Sequence, residues 1–207
     1  MTFKEIDERI EHYEEELNWG ANLITKLEAS LKCNHDTEQN LLLEIRKMKI
    51  EFFCFVTTSY IDLLCTYRNL KRSKSDWERS YNIKIAYLIA YETINTYHQY
   101  KGDIHKTLKK EEKDDYQQFF RMLNDELSDF KYEYDFDNIM SKIRNKSTAH
   151  YDKNFLEFYR SYEVLSKPES KNIIRDFLKF INPLHYFTYG LLEGKLDMFL
   201  FVNSWLT

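Results

Sequence analysis

Helix breakers are scarce in this chain: its 207 residues include only four glycines and two prolines. Tight turns and phosphate-cradling loops draw on those residues, so their scarcity favours long helices. No Gly-rich phosphate loop and no Gly-x-Ser-x-Gly nucleophile elbow occurs. Cysteine is also sparse. Cys33, Cys54 and Cys65 form no metal-ligand spacing, and their odd number argues against a disulfide framework. Cys54 and Cys65 read as buried free thiols. No Glu-x-x-His pair is present, which argues against a ferritin-like metal centre, and neither cofactor nor metal is expected.

Excess positive charge is missing too. Thirty Lys and Arg stand against 34 Asp and Glu, a net charge of −4. The whole molecule therefore has no general attraction for nucleic acid, and any RNA contact must be local or assembled across a dimer. The acidic N-terminus predicts no signal peptide. The apolar C-terminal stretch carries Glu193, Lys195 and Asp197, which argues against membrane insertion and leaves core packing or a dimer surface as its use. The chain reads as cytoplasmic.

What is abundant is aromatic material, 16 Tyr and 15 Phe, with 43% hydrophobic and 31% charged residues. That balance fits one compact domain over 1–207, with residues 1–35 as a candidate N-terminal helical extension. Apolar residues recur at three-four spacing over Phe3–Lys32, with a bend expected at Gly20. A second, more apolar run covers Thr37 to about Lys71 and should be central to the bundle. Ser75-Asp76 caps a third, which Lys101-Gly102-Asp103 should break. The short connection between the second and third makes them a long antiparallel pair. A charged helix is expected over 103 to about 131. A short helix from Asn138 to about Lys146 should bury Ile139, Met140 and Ile143. A helix at 153–165 follows, then a last segment from Lys167-Pro168 bent at Pro183. The expected fold class is all-α, a bundle of two long antiparallel helices plus shorter ones.

One stretch has residue types suited to chemistry: Ile143-Arg144-Asn145-Lys146-Ser147-Thr148-Ala149-His150-Tyr151-Asp152. Positions six apart on a continuous helix are about 120° out of register and about 9 Å apart along the axis. Arg144 and His150 therefore share a space only if the helix ends between them, and Lys146-Ser147-Thr148 suits such an end. Asp152 would then cap the next helix or orient His150. Arginine grips phosphate oxygens bidentately and stays charged, while histidine exchanges a proton near neutral pH. RNA supplies its own nucleophile, the 2′-hydroxyl, so one base and one cation suffice to cleave it without a metal. On the central helix, Asp62 or Tyr60 is expected to line the pocket facing Arg144. The hydroxyls of Thr57, Thr58 and Ser59 are expected to bond the preceding turn.

The pattern Arg144-Asn145, four residues, His150 resembles the signature of the HEPN superfamily, and the longer string through Asp152 resembles its abortive-infection branch. The resemblance implies an all-helical, usually dimeric domain in which two motifs meet across the interface. For catalytic members it implies metal-independent RNA cleavage leaving a cyclic phosphate. His150 would act on the 2′-hydroxyl proton, Arg144 would stabilise the phosphorane, and Asn145 would hold the pair, with Lys146 and Tyr151 alongside. Tyr151 directly follows His150, whereas the variant with a nucleotidyltransferase partner has His-x-Tyr, so modification of Tyr151 is not expected. The implied partners are RNA, a second copy of the chain and an antitoxin protein, in a toxin or phage-defence setting. The alternative is a non-catalytic interaction or RNA-binding module, in which Arg144 pairs with a carboxylate such as Asp62 or Glu92 and His150 caps a helix.

Overall fold

A computed structural model describes residues 1–145 and 155–194. Those residues are all-α, without a strand among them: α1 (Phe3–Cys33), α2 (Thr37–Arg72), α3 (Asp76–Lys110), α4 (Asp114–Glu133), α5 (Ser141–Ile143), α6 (Phe155–Leu165) and α7 (Asn172–Glu193). A π-helical turn, Phe136–Met140, leads into α5, and a 3₁₀ turn, Pro168–Lys171, leads into α7.

Side chains fix where the long helices start. Thr2 and Glu5 form a capping box on α1, and Ser75 and Glu78 form another on α3. At the head of α2, Asp36 accepts hydrogen bonds from the backbone N–H groups of Glu38 and Gln39. Only short links separate α1, α2 and α3, so each runs antiparallel to the one before it. The side-chain pairs show the register. Asp7 meets Arg68 and Glu28 meets Lys47 across α1 and α2. Ser73 meets Asn82 and Lys49 meets Glu111 across α2 and α3.

The core gathers on α2. Phe52, Val56, Tyr60, Leu63 and Leu64 are buried, with α1, α3 and α7 packed around them. α4 closes the far side of α7, where Phe119 and Phe120 stack on Phe187 at 5.6 and 5.3 Å and Phe130 meets Phe177 at 4.9 Å. No helix among the described residues is long and apolar enough to cross a membrane.

Three local expectations need correction. The helix does not break at Lys101-Gly102-Asp103. α3 continues to Lys110, because Ile104, Thr107 and Leu108 beyond the glycine are buried and hold the backbone. It stops instead where Lys109 to Asp115 offers no apolar residue, with Glu112 in the left-handed region at φ 52°. In the 136–143 segment, Phe136 is buried with Met140 and Ile143, while Ile139 is 37% exposed, because the π turn shifts the inward positions by one residue. Gly20, the expected bend, lies in an unbroken α1. It is needed for close approach: a Cβ there would stand 2.3 Å from the Cys54 sulfur on α2.

Glycine to alanine in a helix interior ordinarily stabilises by about 1 kcal/mol, whereas overpacking costs about 1–3 kcal/mol. Gly20→Ala is therefore expected to lower the melting temperature, and Cys54→Ala in the same chain to restore it. Gly102→Ala, with open space around the added carbon, should raise stability by about 0.5–1 kcal/mol. Thermal denaturation of the four proteins checks all three signs.

Candidate functional site

A three-residue helix cannot hold itself together, so α5 stands because of what it buries. Ile143 is 2% exposed and Met140 is fully buried, both in the main core. Phe136 stacks on Tyr91 of α3 at 4.8 Å. With Ile143 turned inward, the next residue, Arg144, projects from the surface. Its Nε donates to Glu92 Oε1 of α3 at 2.9 Å, and its Nη1 donates to Asn145 Oδ1 at 3.1 Å. Asn145 Nδ2 in turn donates to Ser141 Oγ at 3.4 Å. The Arg144 side chain remains 42% exposed and that of Glu92 48%. The hydrogen bond and charge of Glu92 raise the guanidinium further above its ordinary value, so it is cationic at every working pH. His150, Lys146, Tyr151 and Asp152 lie outside the described residues, as does the apolar C-terminal segment from 195 onward.

Tyr60 and Asp62 take places other than those expected. Tyr60 is 1% exposed and accepts a hydrogen bond from Arg9 Nη1 of α1 at 3.0 Å. Its ring packs on Tyr13 at 5.0 Å and His185 at 6.1 Å. Its partners are thus on α1 and α7, whereas Arg144 is held against α3. Asp62 is exposed on α2, and the desolvation by its neighbours pushes its carboxyl above the ordinary aspartate range. The carboxylate beside Arg144 is Glu92. The hydroxyls of Thr57, Thr58 and Ser59 bond the carbonyls of Phe53, Cys54 and Phe55, as expected of helix-interior hydroxyls.

Around Tyr60 lies a polar cluster that the sequence pattern did not single out. His185 Nε2 is 3.1 Å from Thr57 Oγ1 and 3.4 Å from Glu16 Oε2. Because the Thr57 hydroxyl gives its proton to Phe53 O, Nε2 must carry a hydrogen and donate to Thr57, which fixes the tautomer of the neutral ring. Burial, reinforced by the neighbouring Tyr60, pushes the Tyr13 hydroxyl well above the ordinary phenol value. The available signal was one histidine on the apolar face of α7, which reads equally as a core residue. Cys54 and Cys65 are half-buried rather than buried, and burial pushes both thiols up, while Cys33 is exposed. Among the described residues, no group of three His, Cys, Asp or Glu is placed to hold a metal ion.

No protein-family model matches this chain, and no curated protein or solved structure shows significant similarity to it.

Removing a buried hydrogen-bonding hydroxyl costs about 0.5–1.5 kcal/mol. Tyr60→Phe should lower stability by that amount in urea denaturation. If the Arg144 site carries an activity, that activity should be unchanged in Tyr60→Phe. A coupled loss of both would join the Tyr60 cluster to the Arg144 site.

Proposed function

We propose that this chain is a metal-independent endoribonuclease of the HEPN kind, using Arg144 and His150 on one phosphodiester. The observation that carries the reading is the state of Arg144: charged, projecting to solvent, and aimed by Glu92 and Asn145 rather than sealed in the core. In the proposed reaction, His150 takes the proton of a ribose 2′-hydroxyl and the 2′-oxygen attacks the adjacent phosphorus. The bond from phosphorus to the 5′-oxygen breaks, and that oxygen leaves with a proton. The products are a 2′,3′-cyclic phosphate and a 5′-hydroxyl. Arg144 balances the charge that builds on the phosphorane oxygens, where a fixed cation acts most strongly. Asn145, bonded to both Arg144 and Ser141, keeps the guanidinium from swinging away. A second copy of the chain would set two such motifs side by side, which answers the lack of net positive charge. The setting of this activity is a cytoplasmic toxin or phage-defence protein with RNA as target and an antitoxin protein as its restraint.

The ion pair itself favours a second reading. Glu92 is one of the two carboxylates expected beside Arg144 if the motif serves as a structural clasp in a non-catalytic interaction module.

The two readings separate on one gel. With total RNA and excess chelator, cleavage should persist in the native chain. It should fall by about 100-fold or more in His150→Ala and in Arg144→Ala, the scale of a lost acid–base or electrostatic group, with melting temperatures unchanged. Absence of cleavage at high protein concentration, with a lowered melting temperature in Arg144→Ala, would establish the clasp instead.

A further inference from the structure

α3 and α4 meet along a seam that is open to solvent. Toward the end of α3 it widens into a groove of about 580 Å³ floored by Phe120, which is 2% exposed. Lys101 and Lys106 of α3 and Arg121 of α4 stand on its walls with His105, facing one lining carboxylate, Asp125. Lys106 spends its charge on Asp103, 3.2 Å away, so the positive balance rests on Lys101 and Arg121. Against Asp125, the groove keeps a small excess of positive charge in a chain whose net charge is −4.

Positive charge extends beyond the groove. His98, three residues before Lys101, is held toward its neutral form by burial and then by the nearby charges of Lys131 and Lys101. Lys131 Nζ lies 4.7 Å from the centre of the Phe136 ring. Phe136 stacks on Tyr91, the neighbour of Glu92, the residue that holds Arg144. Glu92 and Lys101 are nine positions apart on α3, about 14 Å along its axis and about half a turn around it, so a strand that joins them must wrap over the helix. Cations thus stand in the groove at Lys101 and Arg121 and beyond it at Lys131, and Arg144 stands past the Phe136–Tyr91 stack that Lys131 touches.

The groove offers charge but little means of reading a base. Asn124 is the amide on its wall, and both ends of that amide are engaged inward. Its Oδ1 accepts from the Tyr97 hydroxyl at 3.2 Å and its Nδ2 donates to Phe120 O at 2.6 Å. Long cationic side chains over an apolar floor grip phosphates without regard to sequence. Cations set over an apolar floor are the form in which single strands are tracked along their backbone.

We propose that the α3–α4 seam is a sequence-independent seat for the sugar–phosphate backbone of single-stranded RNA, gripped by Lys101, Arg121 and Lys131 and led toward Arg144. The identification of the polyanion as RNA rests on the proposed function, while the charge and shape of the seat do not.

The test measures binding apart from cleavage. A fluorescein-labelled 2′-O-methyl oligonucleotide has no free 2′-hydroxyl and stays intact, and its anisotropy is titrated with the full chain. Three single-strand phosphate contacts predict a slope of log K against log salt of about −2, so affinity should fall about 20-fold between 50 and 200 mM salt. The paired change Lys101→Gln with Arg121→Gln should reduce the slope to about −0.7 and weaken binding at least about tenfold at 50 mM salt. Lys26→Gln with Lys32→Gln, on the exposed face of α1, should leave both quantities unchanged. Arg121→Gln alone, at an exposed position, should cut the slope by about 0.7 even if the paired variant fails to fold. Absence of binding, an unchanged slope in the seam variants, or equal loss in the α1 control would overturn the seat. Salt-dependent binding lost only in the seam variants, with no cleavage of unmodified RNA, would uphold the seat and sink the nuclease. Cleavage undiminished in the seam variants, with no change in slope, would do the reverse.

Discussion

Burial of the middle of α2 is the constraint on which the rest of this molecule depends. From Ile50 to Leu64 the inward positions of that helix are almost wholly shut off from water. Each large apolar side chain placed there contributes about 1.5–3 kcal/mol relative to exposure. α1, α3 and α7 attach by laying their own apolar stripes against it, and α4 reaches the core through the phenylalanines it stacks on α7. The position of α3 is set by that packing. α3 sets Glu92, and Glu92 sets Arg144. The orientation of an exposed guanidinium is thus inherited from a buried aromatic core two helices away.

The Arg144–Glu92 pair has little to do with stability. Both side chains are more than two-fifths exposed, and ion pairs in that situation are weakened by water and salt. What the pair supplies is direction. A long flexible side chain with two acceptors, Glu92 and Asn145, explores far fewer orientations than one without them. Ile143 and Met140 fix the backbone beneath it. The local arrangement is thus a rigid base bearing a charged, oriented tip.

Polar groups elsewhere in the bundle show the opposite economy. Thr57, Tyr60 and His185 lie deep between α1, α2 and α7, where an unmatched polar atom is costly. Most of them find partners: Thr57 bonds Phe53 O, His185 donates to Thr57, and Arg9 donates to Tyr60. Within this cluster Glu16 Oε2 is left without a well-aligned hydrogen bond, with His185 Nε2 3.4 Å from it. This cluster ties three helices together at a fixed rotation, which apolar contacts alone specify less sharply.

Much of this architecture could be read from residue order. The scarcity of glycine and proline, the three-four spacing of apolar side chains and the capping pair at Ser75 fix helix content, the long α2–α3 hairpin and the inward stripe of α2, because each depends on neighbours within one or two turns. Arg144 and Asn145 could be nominated from residue order for the same reason: the motif is contiguous. Residue order left open which carboxylate faces Arg144. Glu92 and Asp62 were equally placed by periodicity, and only the packing rotation of α2 against α1 and α3 brings Glu92 to it. Gly20 looked like a bend and Gly102 like a break. Tertiary structure makes the first a close approach to Cys54 and buries enough beyond the second to carry the helix through. Tyr60, expected beside Arg144, belongs instead with Arg9, Tyr13 and His185, and the cations of the α3–α4 seam, scattered in sequence, come together only once the two helices pack. Periodicity states which side of a helix is buried. Which partner covers it is decided by the rotation and register that the whole core settles together.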